Sequence, residues 1–369
     1  MIPVSRPEIS ESDVEAVSQA LRETQISGEA APVKQLEQSL ANYLGVQNAM
    51  AVSNGTCALD ITFEAMGLGA GSKVIVPNFT IISSVSNLLR RGVEVTTIDS
   101  DPETWSMNAD ETEAAITKHF DAVLAVHIYG LPVDMQKFLE KTKKLEIPVI
   151  EDSAESLGLD YLEKKCGTFG DVSTYSFFAN KIVTGGEGGA ITTNNENLAT
   201  EIKSLRNLYH STEERFVHHK LGWNARMHAL SAALANSQLE RIDLLRSRKR
   251  LTAKKYLDGL SGHPWFTFQP PSTSYAENDY WVFGILLNSE APYSVPEFRD
   301  LLKAKGVDTR RFFCPLSLQP LASEYEIKSF SANKVSEALW NHGVYLPSGN
   351  GINDSEIEKV IEVLWDFVQ

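Results

Sequence analysis

Lys181 lies in the stretch SFFANKIVTGGEGG, with Tyr175, Phe177 and Phe178 before it and Gly185, Gly186, Gly188 and Gly189 after it. A lysine on a solvated helix face has polar neighbours at helical spacing, whereas this one is preceded by aromatic residues and followed by glycines. An amine set among aromatic rings is partly desolvated, which lowers its proton affinity and makes it a nucleophile toward carbonyl carbon. A phosphate loop is excluded by order: its glycines precede its lysine, and here they follow. A lysine that snorkels to the surface is the plain alternative.

A nucleophilic lysine that carries pyridoxal phosphate needs three supports. They are a carboxylate for the pyridine nitrogen, donors for the phosphate and apolar cover for the ring. Asp152 ends the apolar strand IPVIED, where a carboxylate is costly unless paired. A pyridinium would pair it, and so would service as a helix N-cap. Glu155, three residues on, is placed for the ring oxygen. In SNGTCAL (53–59) a strand end, a glycine and a helix start follow one another, so Gly55 and Thr56 offer amides and a hydroxyl to a phosphate. The same residues also make an ordinary turn and cap. Ser176, five residues before Lys181, is either a further phosphate ligand or a buried strand serine.

The elements that must position these residues read as alternating short strands and helices. Strands are expected over 49–53, 73–77, 93–99, 121–127, 147–152, 172–178 and 189–193, and helices over 56–68, 80–91 and 134–145. Apolar strands alternating with helices of this length imply an α/β fold with a mostly parallel sheet, which holds ligands at the carboxyl ends of its strands. One long helix over 227–257 links this part to a smaller C-terminal α+β region with a strand over 280–287 and helices over 294–306 and 356–368. The expected division is a large domain over 13–240 and a small one over 241–369, with residues 1–12 packing against the latter. Ser12 and Asp13 are expected to cap the first helix.

Composition narrows the classes of function. The 369 residues are 43% hydrophobic and 22% charged, with a formal net charge of −14. A nucleic-acid footprint is therefore not expected, although anionic small substrates are compatible with local positive sites. Cys57, Cys166 and Cys314 are too few and too widely spaced for a zinc or disulfide framework, so no metal is expected and a reducing cytoplasm is. No signal peptide or membrane span is read from the sequence.

The set SNGTCALDITFEAMGLGAGSKVIVPNFT, VHIYGLPVDM, VIEDSAES, SFFANKIVTGGEGGAITTN, GWNARMHALSAALANSQLERID and YLPSGNGINDSEIEKVI resembles the DegT/DnrJ/EryC1/StrS family in the family's order and over nearly the whole chain. The resemblance implies the aspartate-aminotransferase type of fold (fold type I) and a pyridoxal-phosphate aminotransferase of sugar biosynthesis. It implies that Lys181 carries the cofactor as a Schiff base, Asp152 meets the pyridine nitrogen and Glu155 the ring hydroxyl. Thr56 with the amide of Cys57, and Ser176, would hold the phosphate. Asn224 in GWNARM would reach that phosphate from the second subunit of a homodimer. Within the family, SFFANKIVTGGEGG and SQLERID are most similar to the GDP-perosamine branch, which aminates C4 of GDP-4-keto-6-deoxymannose with glutamate and serves O-antigen and polysaccharide biosynthesis. Members acting on UDP- and dTDP-linked ketosugars share most of these motifs. A dehydratase branch has histidine at the lysine position, and Lys181 argues against it.

Some positions depart from the family. Ile81 stands where many members place an aromatic over the cofactor, and it covers a ring face with less area and no π contact. Ser317 stands where some have a histidine near the sugar, and His228 and Ser231 replace common polar residues. His127 and Tyr129 are candidates for the sugar pocket, although a strand-end histidine is more often structural. Arg226, Arg310 and Arg311 are candidates for the donor's carboxylate or the nucleotide diphosphate. Cys314 in RRFFCPL reads as packing rather than as a desulfurase nucleophile. RSRKR (246–250) reads as a solvated basic run on a helix.

Overall fold

The computed structural model describes residues 1–211, 214 and 216–368. The strands are β1 (Asn48–Val52), β2 (Lys73–Pro77), β3 (Glu94–Ile98), β4 (Ala122–Val126), β5 (Val149–Asp152), β6 (Asp160–Tyr161), β7 (Lys164–Lys165), β8 (Val172–Ser176), β9 (Gly189–Thr193), β10 (Phe266–Phe268), β11 (Phe283–Leu287), β12 (Arg310–Arg311), β13 (Lys328–Ser329) and β14 (Gly343–Leu346). The α-helices are α1 (Glu11–Arg22), α2 (Ala31–Leu44), α3 (Gly55–Ala65), α4 (Ser86–Arg90), α5 (Ala109–Ala115), α6 (Gln136–Leu145), α7 (Glu196–Leu205), α8 (Ala229–Leu239), α9 (Ile242–Gly259), α10 (Val295–Ala304), α11 (Lys334–His342) and α12 (Asp354–Asp366).

The large sheet has eight strands in the order β1-β9-β8-β5-β4-β2-β3-β13. Pairings from β8 through β5, β4, β2 and β3 to β13 are parallel, whereas β9 runs antiparallel to both β8 and β1. β1 and β4 are buried at every position, as expected of strands covered on both faces. The second sheet, β10-β11-β14-β12, has four strands and is antiparallel throughout. This is the fold-type-I α/β architecture.

Several local expectations change. The first helix is capped by Ser10 rather than Ser12. Asp13 closes the capping box from the third helical position, and its carboxylate also meets Ser237, Gln238 and Arg241. The helix expected over 80–91 shrinks to α4 behind a 3₁₀ turn (Ile82–Ser84), because Ile81 is extended and the Ser84 hydroxyl bonds Thr80 and Asp152. The helix expected over 227–257 breaks at Arg241 (φ −121°, ψ 25°), whose guanidinium is drawn to Glu8 and Asp13. β13, from the C-terminal third, returns to the edge of the large sheet, so chain order and sheet membership do not divide at residue 240. Gln369, the end of the expected second unit, lies outside the described residues. The RSRKR run is only partly solvated: Ser247 is exposed, but Arg246 and Lys249 are buried, and Arg246 pairs with Asp279 at 2.7 Å.

The N-terminal strap is threaded between the C-terminal segments. Ile2 bridges Val307, and a Cβ at Gly349 would lie 2.5 Å from the Arg6 nitrogen, so only glycine admits the strap there. Gly130 has φ +101°, and a Cβ on it would meet the Tyr280 nitrogen at 2.4 Å. That close approach brings the Tyr280–Trp281 turn onto the carboxyl end of the large sheet.

Candidate active site

The carboxyl ends of β4, β5 and β8, the head of α3 and the edge of the small sheet enclose a cavity of about 500 Å³. Gly55, Thr56, Cys57, Ile81, Asp152, Glu155, Ser176 and Lys181 all line it. They come from four separate stretches of chain. The parallel register Val126↔Asp152 and Asp152↔Thr174 sets the strand ends side by side.

Lys181 Nζ lies 3.5 Å from Glu155 Oε1, and its side chain is 12% exposed. Burial pulls its proton affinity down, against the opposing pull of Glu155 and Asp152. Burial also pushes the Glu155 carboxyl up to about 7, which Lys181 and the Tyr129 amide only partly offset. That amide donates to Glu155 Oε2 at 3.0 Å from a residue with φ +57°, a strained backbone next to the site. Asp152 is raised by burial, and it is stabilised by the Ala154 amide at 3.2 Å and the Ser84 hydroxyl at 3.0 Å. A buried carboxylate with so few donors is matched to one more cation in the cavity.

The donor set fits pyridoxal phosphate. Asn54 caps α3, leaving the amides of Gly55 and Thr56 at the open end of an 11-residue helix beside the Thr56 and Ser176 hydroxyls. The Cys57 amide donates to Asn54 Oδ1 at 2.8 Å, so this expected phosphate donor is already engaged by the cap. A Cβ at Gly189 would sit 2.6 Å from the Asn54 carbonyl carbon, so glycine alone lets β9 approach the helix head. Lys181 and Asp152 supply the amine and the carboxylate, and Ile81, 45% exposed, offers apolar cover at the rim. Among the described residues no cluster of His, Cys, Asp or Glu could hold a metal ion, and no helix is long and apolar enough to cross a membrane.

Of the other expected residues Arg310 lines this cavity, whereas His127, Tyr129, Ser317, Asn224, Arg226 and His228 do not. His127 is fully buried, with Nε2 2.9 Å from Glu151 Oε2 and Nδ1 accepting from the Val133 amide. Burial would raise Glu151, but His127 and the amides of Gly170 and Gly167 hold it below the usual carboxylate range. His127 is thus half of a buried pair and does not line the cavity. Tyr129 is also buried, and its hydroxyl accepts from the Phe313 amide. Ser317 bonds Asn78. Asn224 and Arg226 lie together outside the cavity, with Arg226 Nη2 2.8 Å from Asn224 Oδ1. His228 caps α8. Trp281, Arg310, Phe313 and Tyr345 complete the cavity wall. Of these, only Arg310 was singled out by its chemistry; the three aromatic residues carry no local signal.

The sequence profile of the DegT/DnrJ/EryC1/StrS aminotransferase family matches residues 7–365. A GDP-perosamine synthase of Escherichia coli O157:H7 is 34% identical over 366 residues, covering 99% of this chain and 98% of its own. A GDP-perosamine synthase of Caulobacter vibrioides is 33% identical over 363 residues, covering 98% and 97%. The crystal structure of the aminotransferase TlmJ from Streptoalloteichus hindustanus superposes with a TM-score of 0.92 at 25% identity, covering 100% of this chain and 99% of that one.

Proposed function

The chain belongs to the DegT/DnrJ/EryC1/StrS aminotransferase family and is a pyridoxal-phosphate-dependent sugar aminotransferase, and we propose that it transfers the amino group of glutamate to C4 of GDP-4-keto-6-deoxymannose. One observation carries the chemistry: a desolvated lysine, Lys181, shares a 500 Å³ cavity with a buried carboxylate, Asp152. Pyridoxal phosphate, when bound, supplies the carbonyl carbon for amine exchange and a ring that stores the electron pair. Asp152 would keep positive charge on the ring nitrogen, while Gly55, Thr56 and Ser176 would hold the phosphate and Glu155 the ring hydroxyl. Lys181 Nζ takes and returns the proton at the substrate carbon. The same cavity would serve both halves of the exchange, releasing 2-oxoglutarate from glutamate once the bound cofactor has taken its amino group and then admitting the ketosugar that receives it. Arg310 opens onto that cavity and is suited to an anionic group of either substrate.

The choice of sugar follows the names of relatives that cover nearly the whole chain at 33–34% identity. A panel of GDP-, UDP- and dTDP-linked 3-keto and 4-keto sugars, each with glutamate and product identification, tests it. Amination of GDP-4-keto-6-deoxymannose at C4 is expected; clear preference for another nucleotide or carbon overturns the assignment. We further propose a cytoplasmic homodimer in which Asn224 of a second copy completes the phosphate site, because Asn224 is exposed and does not line the cavity of its own chain. Co-expressed Lys181→Ala and Asn224→Asp chains, each inactive alone, should then recover about a quarter of wild-type activity, since half of randomly paired dimers carry one intact site. Verified mixed dimers without activity overturn the shared site.

A further inference from the structure

Lys181 Nζ rests 3.8 Å from the centroid of the Trp281 ring. Trp281 is 3% exposed, so the ring is not an incidental surface neighbour. It is fixed from two directions. Its Nε1–H donates to the Asn180 carbonyl at 2.9 Å, the residue just before the lysine, and its ring lies 6.1 Å from that of Tyr129. Tyr129 in turn donates its amide to Glu155. The aromatic face and the carboxylate therefore flank the amine through one connected set of contacts.

We propose that Trp281 is a positioning residue for Lys181: its indole face carries the ε-ammonium whenever the lysine is free, and its ring N–H sets the loop from which the lysine projects. The inference rests on the reading of Lys181 as the cofactor lysine. A free lysine in this cavity must wait close to the reacting carbon without forming a tight ion pair that would hold its proton. A ring quadrupole attracts the ammonium and leaves the neutral amine nearly unaffected, so it guides the lysine while permitting proton release. Glu155, at 3.5 Å and half-neutral near pH 7, supplies the weaker second contact.

Other groups face the amine and must stay constant in any test. Asp152 ends β5 and Glu155 follows it, Glu187 lies in the glycine turn, and Arg310 and Tyr345 belong to the small sheet. Behind the lysine, across a small chamber, stand Arg6, Glu8 and Lys249. None of these is altered by changing the electron density of one ring.

Mono-, di- and trifluorotryptophan placed at position 281 keep the ring's size and its N–H while draining its face of electron density. The proton affinity of Lys181 is read in the apoprotein by NMR titration of labelled lysine Cε, and independently from the pH profile of pyridoxal phosphate capture. Each fluorine should lower that affinity, with a total of about 3- to 10-fold for the trifluoro ring, and move the capture midpoint to lower pH by the same factor. Trp281→Phe, which keeps a ring but loses the N–H, should slow capture at saturating pH without an equal change in the titration. An invariant midpoint across the fluorinated series overturns the proposal. Borohydride reduction and peptide mapping in parallel keep its premise separate: label on Lys181 with an unmoved midpoint rejects the role of Trp281, whereas label on another lysine rejects the reading of Lys181.

Discussion

Two buried lysines face the same chamber of about 10 Å³, room for a single water, and their surroundings differ. Lys249, on α9, is 3% exposed; it donates to the Ser348 carbonyl and has only Asp279 to oppose the effect of burial. Its proton affinity is pushed down to about 7. Lys181, on the other wall, is also weakened as a base by burial. It differs in having two carboxylates, an aromatic face and a 500 Å³ cavity in front of it. Burial alone makes an amine weakly basic. Access, together with partners that favour charge without fixing it, is what makes such an amine useful, and only one of the two has both.

The comparison breaks most visibly at Lys181. Lys181→Ala should lower turnover by at least about 10⁴-fold, since nucleophile and proton carrier are lost together. Cofactor should still be retained without a covalent link, which absorbance and borohydride labelling will report. If the variant turns over at a tenth of the wild-type rate, the chemistry lies elsewhere.

Asp152→Asn keeps the shape and removes the charge that separates the Lys181 site from the Lys249 site. Turnover should fall at least about 100-fold, equivalent to about 2.7 kcal/mol of transition-state stabilisation. Near-normal kinetics would reduce Asp152 to a turn residue bonded to Ala154. Ser84→Ala is a gentler version of the same test, removing one of the hydroxyl and amide donors that keep Asp152 ionised. A loss of about 5- to 10-fold in kcat is expected, from a hydrogen bond of about 1–1.5 kcal/mol to a buried acceptor. Because Asp152 then protonates more readily, the acid limb of the pH–rate profile should move to higher pH. An unchanged limb would mean that Ser84 does not touch the ionised form.

Lys249→Met sharpens the comparison from the other side, with kcat expected within about 3-fold of wild type, since the residue lies behind the cavity rather than in it. Its signature is in stability. Lys249 titrates near 7 in the folded chain against 10.5 in the unfolded chain, so the unfolded state binds more protons between these values. Wild-type apoprotein stability should therefore rise with pH across that window, by at most about 1.4 kcal/mol per unit from this group. Denaturant titrations at pH 7, 8 and 9 should show a flatter slope for Lys249→Met. Superimposed slopes would place Lys249 in water.

Much of the site is encoded within short windows of the chain. The aromatic-then-glycine setting of Lys181, the terminal Asp152 of an apolar strand and the strand–glycine–helix turn at Gly55–Thr56 are each local patterns. The alternation of strands and helices is repeated often enough to imply the sheet that brings them together. The remainder depends on packing between distant segments. Trp281 and Tyr345 are more than 90 residues from Lys181 in the chain, and they reach it because Gly130 lets the Tyr280–Trp281 turn approach and because β14 pairs with β12 at the cavity edge. Whether a charge is buried is also a non-local property. RSRKR looks like a solvated helix face until Asp279, Asp160 and the Ser348 carbonyl close over Arg246 and Lys249. His127 looks like a strand-end ligand until Glu151 claims it. A local pattern can specify a reactive group, but its neighbours are set by packing among segments far apart in the chain, and those neighbours fix its charge, its access and its role.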